Sequence, residues 1–104
     1  MKAIILGFFI ATAVTSPAFA DAVTSANKLC ALFDSTGLTS AKCEISGWNS
    51  SVTTTIDMSS GEARDLCNDV SALMEQRGDR FGGWTLNIKS PYSGENPIAF
   101  CPLR

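Results

Sequence analysis

Two stretches of the chain repeat apolar residues at intervals of three and four, the spacing of one face of an amphipathic helix. The first runs from Ala22 to Phe33. The second follows Ser59 and Glu62, which have the residue types and spacing of a helix capping box. Gly78 stands where this second helix is expected to end, because glycine readily adopts the left-handed conformation that terminates helices.

Four shorter stretches alternate apolar and polar residues, the period of a half-buried strand. They cover residues 43–48, 52–58, 84–88 and 98–101. The second is rich in β-branched residues, which favour strands, and Pro102 should end the last one. The order is therefore helix, strand, strand, helix, strand, strand. It predicts an α+β fold in which a four-stranded antiparallel sheet carries both helices on one face.

The first twenty residues have the features of a secretory signal peptide. Lys2 supplies the positive start, residues 3–14 form an apolar run without charge, and residues 16–20 place small residues at a cleavage site. The apolar run is too short to span a bilayer, so we expect no transmembrane segment. We expect cleavage before Asp21, a single mature domain over residues 21–104, and a location in the bacterial periplasm or outside the cell.

Four cysteines lie in the expected mature domain: Cys30, Cys43, Cys67 and Cys101. An even number in a small exported chain predicts two disulfides, which a domain burying only roughly 60% of its unfolded surface needs. A strand folding back beneath its helix would bring Cys30 level with Cys43. This favours Cys30–Cys43 with Cys67–Cys101, and Cys30–Cys67 with Cys43–Cys101 is the alternative. The wide spacings favour a structural role over thiol–disulfide exchange.

Composition narrows the range of functions. The chain contains no histidine, which removes the commonest general base and the commonest zinc ligand. We therefore expect no catalytic residues, no cofactor and no metal. Without Lys2, seven basic residues face ten acidic ones. The acidic residues are scattered, and the sequence shows neither the basic face that nucleic-acid binding requires nor a run of basic residues for a membrane surface.

Three aromatic residues are the candidate binding residues. Strict alternation would turn Trp48 away from the helices, whereas a bulge at Gly47 would turn it into the core. Tyr92 lies in a long loop, and Phe81 stands beside two glycines. Exposed aromatic residues suit protein-binding surfaces, because they bury a large area at a low cost in entropy.

The sequence thus predicts a small exported, non-enzymatic protein that binds another protein, as an inhibitor, an immunity-type protein or an accessory subunit would. The alternative is an envelope-associated structural or lipid-contacting domain. The tripeptide Arg77-Gly78-Asp79 matches an adhesion motif, but a basic residue followed by glycine is also a normal helix end. We interpret it as structural.

Overall fold

A computed structural model describes the backbone of residues 17–104 and the side chains of residues 22–104. The expected signal peptide falls mostly outside these residues. The elements are helix α1 (Pro17–Ser35), strands β1 (Thr39–Ser46) and β2 (Ser51–Ile56), helix α2 (Ser60–Gln76), and strands β3 (Thr85–Lys89) and β4 (Pro97–Pro102). The α+β class and the predicted order of elements are confirmed.

The four strands form one sheet in the order β1-β2-β3-β4. β1 pairs with β2, and β3 with β4, in antiparallel fashion, but β2 and β3 are parallel. The prediction of an all-antiparallel sheet is therefore wrong. The parallel pairing of β2 and β3 has its physical reason in α2, which has 17 residues and is about 25 Å long. A helix of this length carries the chain back along the sheet, so β3 starts at the same end as β2.

One face of the sheet forms the core with both helices. Ile45, Val52, Leu86 and Cys101 follow one another across the four strands on this face. α1 packs against β1 and β2, whereas α2 packs against β3 and β4. The prediction that both helices lie on one face is confirmed, and the other face of the sheet is left without a covering layer among residues 22–104.

Both disulfides cross between the two layers. Cys30 of α1 is bonded to Cys43 of β1, and Cys67 of α2 to Cys101 of β4. The favoured pairing is confirmed, and the alternative is excluded. Because β1 and β4 are the edge strands, each disulfide fastens one helix to one edge of the sheet.

Hydrogen bonds define both ends of α2. The Ser59 hydroxyl accepts a bond from the Glu62 backbone N–H, while the Ser59 N–H donates to the Glu62 carboxylate. At the other end Gly78 has a φ of 81°, and the Asp79 N–H donates to the carbonyl oxygen of Met74 at 3.0 Å. The predicted capping box and the predicted stop at Gly78 are both confirmed.

Removing the Cys67–Cys101 disulfide should destabilise the domain more than removing Cys30–Cys43. The two bonds span 34 and 13 residues, which correspond to about 4 and about 3 kcal/mol in the chain-entropy model. Urea unfolding of the paired alanine variants, Cys67→Ala/Cys101→Ala and Cys30→Ala/Cys43→Ala, measures the difference. A fully reduced protein that melted within a few degrees of the oxidised one would contradict a stabilising role for either bond.

The capping box should make stability depend on pH in the acid range. The hydrogen bond from the Ser59 backbone N–H, and then that from its hydroxyl, lower the pKa of Glu62 below its ordinary value of 4.5. Stability from this contact is thus present above pH 4.5 and is lost as the pH falls through the lowered pKa.

Glu62→Gln is the matched variant, because it keeps a hydrogen-bond acceptor and removes the titration. Its stability should fall less between neutral and acid pH than that of the unmodified protein, as measured by urea unfolding at several pH values. Ser59→Ala should cost about 1 kcal/mol at neutral pH, the usual effect of losing a helix cap. Equal acid sensitivity in Glu62→Gln would rule out this carboxylate as a source of the pH dependence.

Candidate functional site on the open face of the sheet

The face of the sheet opposite the helices is the candidate site, and we call it the open face. Strand register places Glu44 opposite Thr53, Thr53 opposite Asn87, and Asn87 opposite Phe100. This row alternates with the buried row that ends at Cys101, so it points away from the core. The open face includes Glu44, Thr53, Thr55, Asn87, Lys89 and Phe100.

Phe100 is the largest apolar side chain on this mostly polar face, whose strand pairs also include Ala41, Pro97 and Pro102. It is 70% exposed, while its neighbours Ala99 and Cys101 are buried. The sequence-based search missed Phe100, although the alternation that puts Ala99 and Cys101 inside would have placed it outside. An exposed aromatic ring among threonine and asparagine side chains is a natural anchor for a partner, since it buries area at a low entropic cost.

Tyr92 is 82% exposed in the loop between β3 and β4. Hydrogen bonds fix this loop: the Tyr92 N–H donates to the Ser90 hydroxyl at 3.0 Å, and the Ser93 hydroxyl donates to the carbonyl oxygen of Asn96 at 2.6 Å. The loop joins β4 at Pro97, three residues from Phe100, or about 10 Å along the strand. The loop that carries Tyr92 therefore leads directly into the strand that carries Phe100.

Trp48 lies in the turn between β1 and β2, because β1 already ends at Ser46. The predicted strand over residues 43–48 therefore extended two residues too far at this end, and it began four residues after the observed start at Thr39. The side chain is 99% exposed, which excludes the alternative that placed it in the core. The Asn49 N–H donates to the Ser46 hydroxyl at 3.3 Å, and the Thr85 N–H donates to the carbonyl oxygen of Ser50 at 2.9 Å. These bonds hold the turn against the start of β3.

The structure does not bring Trp48 and Tyr92 together. Ser51, just after the turn with Trp48, pairs with Thr85 at the start of β3. Tyr92 follows Lys89 at the other end of β3. The strand between them is about 13 Å long, and each aromatic residue lies beyond its end. They cannot form one compact pocket.

Phe81 is not a surface residue, so its prediction as a binding residue is wrong. It is 1% exposed and belongs to the same buried cluster as Trp84 and Leu103. Its N–H donates to the carbonyl oxygen of Arg104 at 3.1 Å. The glycines after Phe81 allow the chain to turn back over the sheet. The free energy is lower when so large an apolar side chain is buried than when it is exposed to solvent.

A shallow polar depression lies on the open face, and its lining includes Asn87, the strand partner of Phe100. It has a volume of about 110 Å³ and is lined by Glu44, Thr53, Asn87, Lys89, Glu95 and Pro97. The Lys89 Nζ lies 3.9 Å from the Glu95 Oε1. This exposed pair contributes little to stability, but it places charges of both signs next to hydrogen-bonding side chains. The depression can accept polar groups of a partner.

The adhesion-like tripeptide Arg77-Gly78-Asp79 has a structural role in the domain. Asp79 is buried, and its carboxylate lies 3.2 Å from the Lys28 Nζ and 3.8 Å from the Arg77 Nε. The ion pair with Lys28 connects the loop after α2 with α1, whereas the pair with Arg77 lies within that loop. A buried and paired aspartate cannot be offered to a receptor, which agrees with the structural interpretation.

Within residues 17–104, neither helix is long and apolar enough to cross a bilayer. Among the side chains that the structure describes, no group of three or more potential metal ligands is present. No protein-family model, curated protein or solved structure matches the chain. The described part of the chain is an α+β domain with a mixed four-stranded sheet, two helices and two disulfides.

Replacing the two tryptophans should affect stability to very different extents. Trp48 is 99% exposed and Trp84 is 3% exposed. Trp48→Ala should therefore change the free energy of unfolding by no more than about 0.5 kcal/mol, whereas Trp84→Ala should cost about 3–5 kcal/mol. Urea unfolding of both variants measures this. A large loss in Trp48→Ala would mean that its indole packs on the domain.

Proposed function

We propose that this protein is a small exported, non-enzymatic protein that binds another protein through the open face of its sheet. The observation that carries the proposal is Phe100, 70% exposed on a sheet face that has no helix over it. Large aromatic side chains near the centre of an interface dominate binding energy when they become buried. An inhibitor, an immunity-type protein or an accessory subunit would use such a surface.

Two further observations support export and binding rather than catalysis. The two intramolecular disulfides are compatible with an oxidising compartment such as the periplasm or the extracellular space. The sequence lacks histidine, and the depression on the open face is shallow and lined by common polar side chains. Such a surface is suited to recognition.

We assign Phe100 and Tyr92 as the anchors of this surface, with Asn87 and Lys89 between them as hydrogen-bonding groups. Phe100 supplies apolar area at the middle of β4, and Tyr92 extends the surface past the end of β3. Trp48 lies in the β1–β2 turn, at the end of the sheet away from Tyr92. It would contribute to binding only if the partner extended past this turn.

Phe100→Ala should weaken the partner complex by about 2 kcal/mol, the scale of an interface hot spot, or roughly thirtyfold in Kd. Its melting temperature should change little, because the side chain is mostly exposed. The protein, immobilised, is used to capture its partner from the envelope fraction, and the affinity of the recovered partner is then measured with each variant. Tyr92→Ala should lower the affinity in the same direction.

Leu73→Ala is the matched control, because Leu73 is also an exposed apolar residue but lies on α2. It should leave the affinity unchanged. An equal loss with Leu73→Ala, or no loss with Phe100→Ala, would place the contact away from the open face and overturn the proposal.

A further inference from the structure

We propose that the Cys30–Cys43 disulfide is a redox-reactive site, which a dithiol can open in the folded domain, and that the Thr54 hydroxyl stabilises its reduced form. The reaction is reversible, so this bond is a switch that controls how tightly α1 is fastened to β1. The inference goes beyond the proposed function, because it concerns a covalent reaction on the helix side of the sheet and not binding to the open face.

The Thr54 side chain is a buried polar group without a partner. It is 0% exposed, and its Oγ1 accepts or donates no hydrogen bond within residues 22–104. Such a hydroxyl is costly, because it has lost its hydrogen bonds to water and gained none in the protein. A buried polar group that stays unpaired in a native fold calls for a physical reason, and a redox role is one such reason.

Strand pairing places Thr54 beside Cys43. β1 and β2 are paired on either side of this position, but between these pairs β1 carries two residues, Lys42 and Cys43, whereas β2 carries Thr54 alone. This is a β-bulge. Cys43 faces the helices, since it is bonded to Cys30 of α1, and the buried Thr54 faces the same side. Opposite residues on one face of a sheet have Cβ atoms about 5 Å apart, so a Cys43 side chain that is free to rotate can bring its sulfur to the Thr54 hydroxyl.

The two redox states of Cys43 differ in what they offer this hydroxyl. In the disulfide, the sulfur has no hydrogen to donate and is held by its bond to Cys30. A thiol can donate its S–H to the Thr54 oxygen, and a thiolate can accept from the Thr54 O–H. The reduced state therefore satisfies a buried group that the oxidised state leaves unpaired. A disulfide whose reduced form is stabilised is easier to reduce.

The two disulfides also differ in their access to solvent. Cys43 is half-buried on β1, an edge strand, so a reductant can approach its sulfur from the edge of the sheet. Cys67 and Cys101 are 0% and 4% exposed, and the Cys67 Sγ lies 3.6 Å from the carbonyl oxygen of Leu86 inside the core. Thiol–disulfide exchange requires the attacking sulfur to reach a sulfur of the bond. Cys30–Cys43 is therefore the disulfide that can react without unfolding.

The reaction is an exchange with a dithiol. A thiolate of the reductant attacks the Cys43 Sγ, a new sulfur–sulfur bond forms there, and the bond to the Cys30 Sγ breaks with its electron pair passing to Cys30. The second thiol of the reductant gives up its proton and attacks the reductant sulfur of this mixed disulfide, which releases Cys43. The reductant is oxidised to a disulfide, and its two protons end on the two cysteine sulfurs. The co-reactant is thus a dithiol such as the Cys-X-X-Cys pair of a thiol–disulfide oxidoreductase.

Opening this bond should loosen one side of the domain and leave the other intact. α1 packs against β1 and β2, whereas α2 packs against β3 and β4 and keeps the Cys67–Cys101 bond. Without the first disulfide, the end of α1 is still linked to the bulge by the hydrogen bond from the Cys43 N–H to the Asp34 carboxylate at 3.0 Å. The bulge has fewer restraints, so the amides of β1 should exchange hydrogen faster while those of α2 stay protected.

The test titrates the oxidised, folded protein with mixtures of reduced and oxidised dithiothreitol at constant pH. Free thiols are blocked with N-ethylmaleimide, and the modified cysteines are located by peptide mass. Cys30 and Cys43 should become modified together at ratios of reductant that leave Cys67 and Cys101 bonded. Circular dichroism should remain that of a folded domain, and added oxidant should restore the bond.

Thr54→Val tests the hydroxyl, because valine keeps the shape of threonine and removes the O–H. This variant should need an about tenfold higher ratio of reduced to oxidised dithiothreitol at the midpoint of Cys30–Cys43 reduction, or about 30 mV for a two-electron couple. Thr85→Val is the matched control. Thr85 is half-buried on β3 and points to the other face of the sheet, so its replacement should leave the midpoint unchanged.

Three results would overturn the proposal. They are reduction of Cys30–Cys43 only together with Cys67–Cys101, loss of the folded circular dichroism signal as the first bond opens, or a midpoint for Thr54→Val equal to that for Thr85→Val. The proposed function is tested separately, since partner capture through Phe100 is measured with the oxidised protein.

Discussion

Two disulfides hold the helical layer on the sheet, and each joins a helix to an edge strand. Cys30–Cys43 fastens α1 to β1, and Cys67–Cys101 fastens α2 to β4. A domain of this size buries too little surface to be stable by a large margin, so bonds that close loops of 13 and 34 residues are a major part of its stability. They also fix which face of the sheet the helices cover.

The uncovered face can stay in solvent because its side chains are mostly polar. Threonine and asparagine fill the centre of the open face, and Phe100 interrupts it on an edge strand. The edges themselves are poor templates for further strands. β4 is bounded by Pro97 and Pro102, and the pairing of β1 is irregular between Thr39 and Glu44. Both features limit edge-to-edge association, which favours recognition through the face of the sheet.

Local sequence patterns predicted what depends on local interactions. The capping box at Ser59, the stop at Gly78 and the alternation in β2 all appear in the structure. The favoured disulfide pairing also followed from local geometry, since Cys30 and Cys43 lie on successive elements. Hydrophobic periodicity carries this information because it records which side of an element is buried.

Features that depend on the path of the chain through space were not predicted. Alternation is the same in parallel and antiparallel strands, so it could not show that α2 makes β2 and β3 parallel. Phe81 follows no periodic pattern, and its burial depends on how the loop before β3 folds over the sheet.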